Sequence, residues 1–217
     1  RQVMTFLELT EGPLWYAAAG IFSFGVIWRL AVILLFGRKP DRSIPRGSAL
    51  VGAVKANILH LWPHGGFFTK SGFHLIAGYL FHLGLFVLVF FAAPHVVFIQ
   101  DNIVGFGWDT LPRWGFILTA EAAFCGLILL WARRLGDPVI RLLTDRDDNT
   151  GLWMTFGVML TGCLALGESS EFLRALHMLS VDIWLIYFPF SRLMHGFTFV
   201  FSRGYMGASF GRRGITP

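Results

Sequence analysis

The chain has 217 residues, of which 55% are hydrophobic and only 14% charged, and its mean hydropathy is +0.62. Soluble domains carry about 25% charged residues, so this composition excludes an ordinary water-soluble globular protein. The net charge of +5 and the pI near 9.7 do not indicate nucleic-acid binding, because the lysines and arginines lie between hydrophobic stretches, where membrane topology signals occur.

Five apolar stretches approach the roughly 20 residues that cross a bilayer, and they predict one all-α membrane domain over residues 1–217. In chain order, the predicted transmembrane helices run over about 14–36, 71–93, 114–131, 152–166 and 172–190. The basic segment after the first span is predicted to be a loop, because it contains Pro40 and Pro45. We expect no cleavable signal peptide at the start of the sequence.

Basic residues are divided unequally between the two sides of this five-span bundle. One side has fourteen: Arg38, Lys39, Arg42, Arg46, Lys55, Lys70, Arg133, Arg134, Arg141, Arg146, Arg192, Arg203, Arg212 and Arg213. The other side has three, Arg1, Arg113 and Arg174, alongside Glu8, Glu11, Asp101, Asp109, Glu168 and Glu171. Because cytoplasmic loops are rich in lysine and arginine, the N-terminus is predicted to be outside and the C-terminus cytoplasmic.

Most of the seven histidines lie in or beside the second and fifth spans. They are His60, His64, His74, His82, His95, His177 and His195. A single membrane histidine is more often a hydrogen-bonding group between helices than a ligand, but paired sets on two spans favour ligation. Haem needs only an axial pair in the core of a helix bundle, whereas zinc needs three or four converging ligands. The pattern therefore indicates haem.

The spacing of the histidines corresponds to defined distances and angles on an ideal helix. His177 and His195 are 18 residues apart, which is five turns or about 27 Å, so both would lie on one face and suit two stacked haems. On the second span, His82 and His95 would be about 20 Å and roughly 140° apart, and His74 and His95 about 32 Å and roughly 60° apart. Pro94 and Pro189 weaken these counts, so His74 and His82 both remain candidates.

Two sequence stretches resemble a known family. The residues Leu176-His177 and the run from Tyr187 to His195, YFPFSRLMH, are similar to the di-haem cytochrome b gamma subunit of respiratory nitrate reductases, a group that includes the membrane cytochrome of dissimilatory sulfite-reduction complexes. The stretch Leu80-Phe81-His82-Leu83-Gly84 resembles the same family in the second span. The order of five spans and the external N-terminus also agree with it.

The resemblance implies two haem b groups. It pairs His82 with His195 at the cytoplasmic side and His95 with His177 at the outer side. The family's second ligand on this span falls at Ala92, so His95, three residues on, is its replacement. Arg192 is expected to bind a haem propionate or a lipid phosphate. If His95 is only a residue at the helix end, the outer haem has another ligand or is absent.

The function implied is a quinol-reactive membrane anchor in the inner (cytoplasmic) membrane. It would pass electrons between the quinone pool, near the outer haem, and an iron–sulfur subunit docked on the basic face, within a complex that also has a catalytic subunit. The alternatives are a proton or solute transporter and a structural anchor without haem. The chain lacks the repeat symmetry that is common in transporters.

Other polar residues carry weaker expectations. Glu121 and Asp182 lie inside apolar spans, where each would either make a hydrogen bond between helices or handle protons. Cys125 and Cys163 are expected to be small buried residues with no disulfide or metal site. His60 and His64 are expected to be interfacial.

Overall fold

The computed structural model describes residues 4–36, 44–61, 66–166 and 170–215, and of residues 66–70 it describes the backbone alone. These residues form helices, and no strand occurs among them. The α-helices are α1 Phe6–Leu9, α2 Trp15–Phe36, α3 Ala49–Leu59, α4 Gly66–Phe91, α5 Ala93–Ile99, α6 Arg113–Gly136, α7 Pro138–Leu143, α8 Arg146–Ala165, α9 Glu171–Tyr187 and α10 His195–Arg212. Shorter turns are the π-helices Thr10–Leu14 and Gln100–Val104 and the 3-10 helices Phe188–Phe190 and Arg192–Met194.

Four helical segments are long and apolar enough to cross a membrane. They are Phe6–Phe36, Ser71–Phe91, Arg113–Gly136 and Glu171–Phe190. These segments match four of the five predicted spans and indicate a multi-pass membrane protein. The remaining predicted span, 152–166, falls on α8, which is helical but is not among the four. Its first turn contains Asp147 and Asp148, so its N-terminal part is more polar than the others.

The chain divides into two compact units, Arg1–Phe68 with Ala175–Pro217, and Thr69–Arg174. The second of these units, which we call the central unit, packs α4, α6 and α8 around one apolar core. Its buried residues are Phe81, Leu88, Ala120, Ala123, Leu127, Leu152 and Met159. Each of these three helices contributes at least two of them, so each has one face in a shared core.

Glycines bring α4 and α6 into backbone contact in the central unit. A methyl group added at Gly84 would lie 2.8 Å from the Cβ atom of Ala123, and one added at Gly126 would meet the backbone of Phe81. Because small residues let helix axes approach closely, this pairing is typical of helices that pack in lipid. The order of the contacts makes α4 and α6 antiparallel.

The other unit, Arg1–Phe68 with Ala175–Pro217, contains both ends of the chain, and we call it the terminal unit. Here α2 packs against the 3-10 turn that follows α9. A Cβ atom at Gly25 would lie 2.6 Å from the ring of Pro189, and Val26, Phe188 and Met194 form a buried cluster beside it. The Phe22 and Phe188 rings meet edge to face at 5.3 Å. Pro189 therefore has a packing role as well as ending the helix.

The helices α3 and α10 also pack in the terminal unit, again through glycine. An added Cβ atom at Gly211 would lie 2.6 Å from the carbonyl oxygen of Ser48, and one at Gly207 would collide with the carbonyl oxygen of Gly52. The backbone N–H of Arg46 donates to the carbonyl of Arg212 at 2.7 Å. These two helices are thus held together by main-chain contact.

The helices α3 and α10 lie outside the five predicted spans. Lys55, in α3, and Arg203, in α10, were expected only as basic residues on one side of the bundle. Ser48 caps α3 by accepting a hydrogen bond from the N–H of Val51 at 3.3 Å, which explains where the helix begins. The basic residues Arg1, Arg38, Lys39 and Arg42, together with Pro40, His64 and Glu168, lie outside the described residues, as does the side chain of Lys70.

We predict that Gly52→Ala destabilises the protein by about 1–3 kcal/mol, because the new methyl group would overpack the contact with Gly207. The measurement is the thermal midpoint of the purified chain in detergent. Gly20→Ala is the matched control, because nothing lies within 4 Å of its added Cβ atom, so it should leave the midpoint unchanged or raise it. Equal midpoints for the two variants would contradict the close packing.

Candidate functional site

An interruption of the helix separates His95 from the rest of the second span. The helix α4 ends at Phe91, Ala92 is extended with ψ 133°, and α5 begins at Ala93 with Pro94 in its first turn. The observed helix therefore ends two residues before the predicted end of the span at residue 93. The azimuths calculated for His74, His82 and His95 on one ideal helix are wrong for His95, because proline cannot continue the hydrogen-bond ladder.

The break leaves carbonyl groups at the end of α4, and side chains from the following segment occupy them. His95 Nδ1 lies 2.8 Å from the carbonyl oxygen of Leu88, and Trp108 Nε1 donates to that of Phe90 at 2.6 Å. The backbone N–H of Leu111 donates to Phe91 at 2.8 Å. A helix end needs such partners, above all within a membrane. Trp108 and Leu111 therefore cap α4, whereas the imidazole of His95 contacts a carbonyl that also accepts from the N–H of Ala92 at 3.2 Å.

The other two candidates on this span lie on the continuous part of α4. His82 is half-buried, and its Nδ1 lies 2.8 Å from the carbonyl oxygen of Gly78. The Phe81 ring meets its imidazole edge to face at 4.8 Å. His74 is exposed and lies eight residues earlier, about 12 Å along the helix.

The fifth span is also interrupted before its second histidine. His177 lies within α9, half-buried, but α9 ends at Tyr187 and two 3-10 turns follow before α10 begins at His195. The prediction of five whole turns of one helix between His177 and His195 is therefore wrong. The separation of about 27 Å and the shared face that followed from it do not apply, since a 3-10 helix has a different rise and period.

Ser191 organises the turn that positions His195. Its backbone is extended, with ψ 177°, and its buried hydroxyl donates to the carbonyl of Phe188 at 3.0 Å and accepts from the N–H of Leu193 at 3.2 Å. His195 follows as the first residue of α10, with its Nδ1 2.8 Å from the carbonyl oxygen of Arg192. Both His195 and Arg192 are exposed on the isolated chain.

Three of the four predicted ligands thus share one feature: His82, His95 and His195 each place Nδ1 against a backbone carbonyl. A carbonyl oxygen only accepts, so in the neutral ring the proton is on Nδ1 and the lone pair is on Nε2. Metal-ligating histidines commonly have this arrangement. His60, which is not a predicted ligand, has the same bond to Ala56 at 2.7 Å, so the feature is compatible with ligation but does not identify it.

Asp182 is the buried charged group of α9. Its side chain is 2% exposed, and neither carboxylate oxygen has a hydrogen-bond partner among the described residues. Ala175, two turns earlier on α9, is also buried, so the carboxyl lies on the packed face of this helix. The predicted hydrogen bond between helices is therefore absent from the described part of the chain. Burial without a partner is costly for a carboxylate.

Glu121 lies in a different environment. It is exposed on α6 and lines an open, apolar groove of about 660 Å³ in the central unit. Phe116, Phe124 and both cysteines line the same groove. Cys125 and Cys163 are free thiols, and Cys125 is exposed rather than buried as predicted. No group of three or more metal-binding side chains converges in the described residues, here or elsewhere.

Two further residues were not singled out from the sequence. Arg29 is an exposed cation within α2, seven residues before its end, where a long side chain can reach the membrane surface. Trp108 caps α4 through Nε1 from outside the spans. Arg29 could have been noticed in the sequence, because it is a charged residue inside an apolar stretch. The sequence around Trp108 has no pattern that predicts its hydrogen bond to Phe90. Of the two predicted interfacial histidines, His60 is exposed at the end of α3.

Comparison with known proteins gives a relative that is similar over most of the chain. A protein of Nitratidesulfovibrio vulgaris, named only "Protein", is 29% identical over 214 residues, which covers 92% of this chain and 91% of that protein. No protein-family model matches the chain. No solved structure matches it either.

We predict that Asp182→Asn raises the thermal midpoint of the purified chain at neutral pH by a few degrees, because it removes an ionisable group that is buried without a partner. Glu121→Gln is the matched control. Its carboxylate is exposed, so the midpoint should change less. A fall in the midpoint of Asp182→Asn would mean that the carboxylate makes a stabilising interaction in the protein and would contradict this account.

Proposed function

We propose that this chain is a di-haem b membrane subunit that passes electrons between quinone and an iron–sulfur partner. The observation that carries the proposal is the set of histidines on two spans, within the stretches LFHLG and YFPFSRLMH that resemble the nitrate reductase gamma subunit. The relative from N. vulgaris extends over nearly the whole chain, but its name carries no function.

Five membrane crossings are proposed, with α8 as the fourth. Packing in the terminal unit supports this number. The helix α3 follows α2, and α10 follows α9, so the contact between α3 and α10 requires α2 and α9 to end on the same side of the bilayer. Since α4 and α6 are two crossings, one more is needed before α9. The only long helix described between α6 and α9 is α8.

The dimensions and packing of α8 support its crossing. Its 20 residues give about 30 Å, the thickness of a hydrocarbon core. It lies along α6 in the antiparallel sense, with Trp131 near Trp153 at 5.3 Å and Phe124 near Phe156 at 5.2 Å between ring centroids. At the start of α8, Arg134 donates to the carbonyl of Asp148 at 2.7 Å, which satisfies polar groups at that end.

The proposed orientation has the N-terminus outside. With five crossings, the cations Arg133, Arg134, Arg141 and Arg146, around α7, lie on the same side as α3 and α10. Such an excess of basic residues on one side is typical of the cytoplasmic face. The membrane proposed is the inner (cytoplasmic) membrane.

The residues proposed to hold haem are His82 with His195 and His95 with His177, with His74 as the alternative to His82. Their chemistry fits, because imidazole is a common axial ligand and three of the four rings direct Nδ1 to a carbonyl. Haem b supplies one-electron redox chemistry when bound. Arg192 would bind a propionate through its guanidinium.

Quinol is proposed to bind at the outer side, near the segment from Val96 to Arg113. Asp101 and Asp109 in this segment could take up the protons released on oxidation. An iron–sulfur subunit would dock on the basic face, and a catalytic subunit would complete the complex.

We predict that the purified chain contains two haem b groups in a pyridine haemochrome assay. His82→Ala and His195→Ala should each remove the same haem, and His95→Ala and His177→Ala the other, because an iron that loses one axial ligand is no longer held as a bis-histidine complex. Potentiometric titration distinguishes the two haems.

His60→Ala is the control, because His60 makes the same Nδ1 contact with a carbonyl but is not a proposed ligand, so both haems should remain. A chain without a b-type spectrum would refute the proposal. Loss of a haem in His74→Ala but not in His82→Ala would exchange those two assignments.

We predict that α8 crosses the membrane. In a chain with Cys125→Ala and Cys163→Ala, Asn149→Cys and Glu171→Cys should react with a membrane-impermeant maleimide from opposite sides. Both positions are exposed, Asn149 in the first turn of α8 and Glu171 at the start of α9, beyond the other end of α8. Arg213→Cys should react from the same side as Asn149→Cys. Labelling of Asn149→Cys and Glu171→Cys from one side would mean that α8 does not cross.

A further inference from the structure

The paired helices α3 and α10 form a surface that the proposed electron-transfer function does not explain. Each uses its glycine-rich face for the other helix, at Gly52, Gly207 and Gly211. Ala56 is buried in the same contact, being 2% exposed. Since these contacts involve the backbone on both sides, the two helices form a fixed layer rather than independent segments.

The opposite face of α3 is apolar and exposed. Leu50 is 74% exposed and Ile58 62%, and Val54 lies between them at successive positions four residues apart, so the three form one stripe along the helix. On α10, Tyr205 and Met206 are also largely exposed. An exposed apolar stripe along α3 is characteristic of a binding face rather than of a surface in water.

The charge of this layer has one sign. Residues 44–61 and 188–215 contain six arginines and lysines and neither aspartate nor glutamate. The cations are Arg46, Lys55, Arg192, Arg203, Arg212 and Arg213. Arg203 lies 5.4 Å from the ring centroid of Phe199, so cationic and apolar groups are interleaved on α10.

Both helices are also tied to the membrane by the chain itself. At most about 45 Å of extended chain connects Phe36, at the end of α2, to Ala49, at the start of α3. Only the two 3-10 turns and Ser191 separate α9 from α10. Because α2 and α9 belong to membrane-crossing segments, these short connections keep the layer close to the bilayer surface, and binding to lipid costs little further entropy.

We propose that the α3–α10 layer lies on the bilayer surface and binds anionic lipid headgroups. The Leu50, Val54 and Ile58 stripe enters the boundary between headgroups and acyl chains, while Lys55 and the arginines other than Arg192 contact lipid phosphates. Apolar residues combined with cations favour anionic membranes over zwitterionic ones. An acidic protein partner would match the charges but would leave the apolar surface exposed until assembly. This inference does not depend on haem or quinone.

The test uses the full chain in nanodiscs. Val54→Cys, in a chain with Cys125→Ala and Cys163→Ala, is labelled with an environment-sensitive fluorophore, and Asn149→Cys is the control at an exposed position outside the layer. In nanodiscs that contain phosphatidylglycerol, emission from position 54 should shift to the blue and be quenched by brominated acyl chains. Emission from position 149 should be quenched much less.

A variant with Lys55→Gln and Arg203→Gln tests the electrostatic part. These substitutions should weaken the quenching at position 54 in anionic nanodiscs, because two of the six cations are lost. In the labelled chain that keeps Lys55 and Arg203, the quenching should fall when phosphatidylcholine replaces phosphatidylglycerol. A label at position 54 that stays in water in both lipids would overturn the proposal. Shielding that occurs only when the partner subunits are bound would also overturn it and assign the face to protein.

Discussion

The backbone contact between α3 and α10 constrains the topology of the whole chain. These helices come from segments more than 130 residues apart in sequence, and Gly52 and Gly207 leave no room for a side chain between them. Lipid cannot satisfy exposed backbone polar groups, so a chain crosses it only as complete helices. In the proposed topology α3 and α10 are on one side of the bilayer, so an even number of complete crossings lies between the end of α2 and the end of α9. A local contact between small residues thus bears on α8, which belongs to the other unit.

The apolar spans could be predicted from the sequence because membrane thickness sets a length that hydropathy reveals directly. This reasoning identified α2, α4, α6 and α9 within a few residues. It failed for α3 and α10, which lie outside the five predicted spans. The spacing of Gly207 and Gly211, four residues apart, is a recognised signal for close helix packing and could have indicated a partner for α10.

At the candidate site, residue types could be predicted but local geometry could not. Counting turns assumes a continuous helix, and Pro94 and Pro189 each lie beside a point where the helix stops. The sequence identifies both prolines but does not give the conformation of Ala92 or of Ser191, which depends on the contacts around them. The angles calculated from His74 and His82 to His95 therefore lose their basis, because His95 belongs to a separate helix.

The two breaks have a common physical consequence that connects the fold with the proposed ligands. A helix that ends within or near a membrane exposes carbonyl groups that need donors, and a histidine ring can supply one N–H while keeping a lone pair on its other nitrogen. His95 makes such a contact with Leu88 across the break after α4, beside the N–H of Ala92, and His195 makes one with Arg192 before α10, beside its own backbone N–H. Capping and metal binding use different nitrogens, so they do not compete. A structural role for His95 at the helix end is therefore no argument against its role as a ligand.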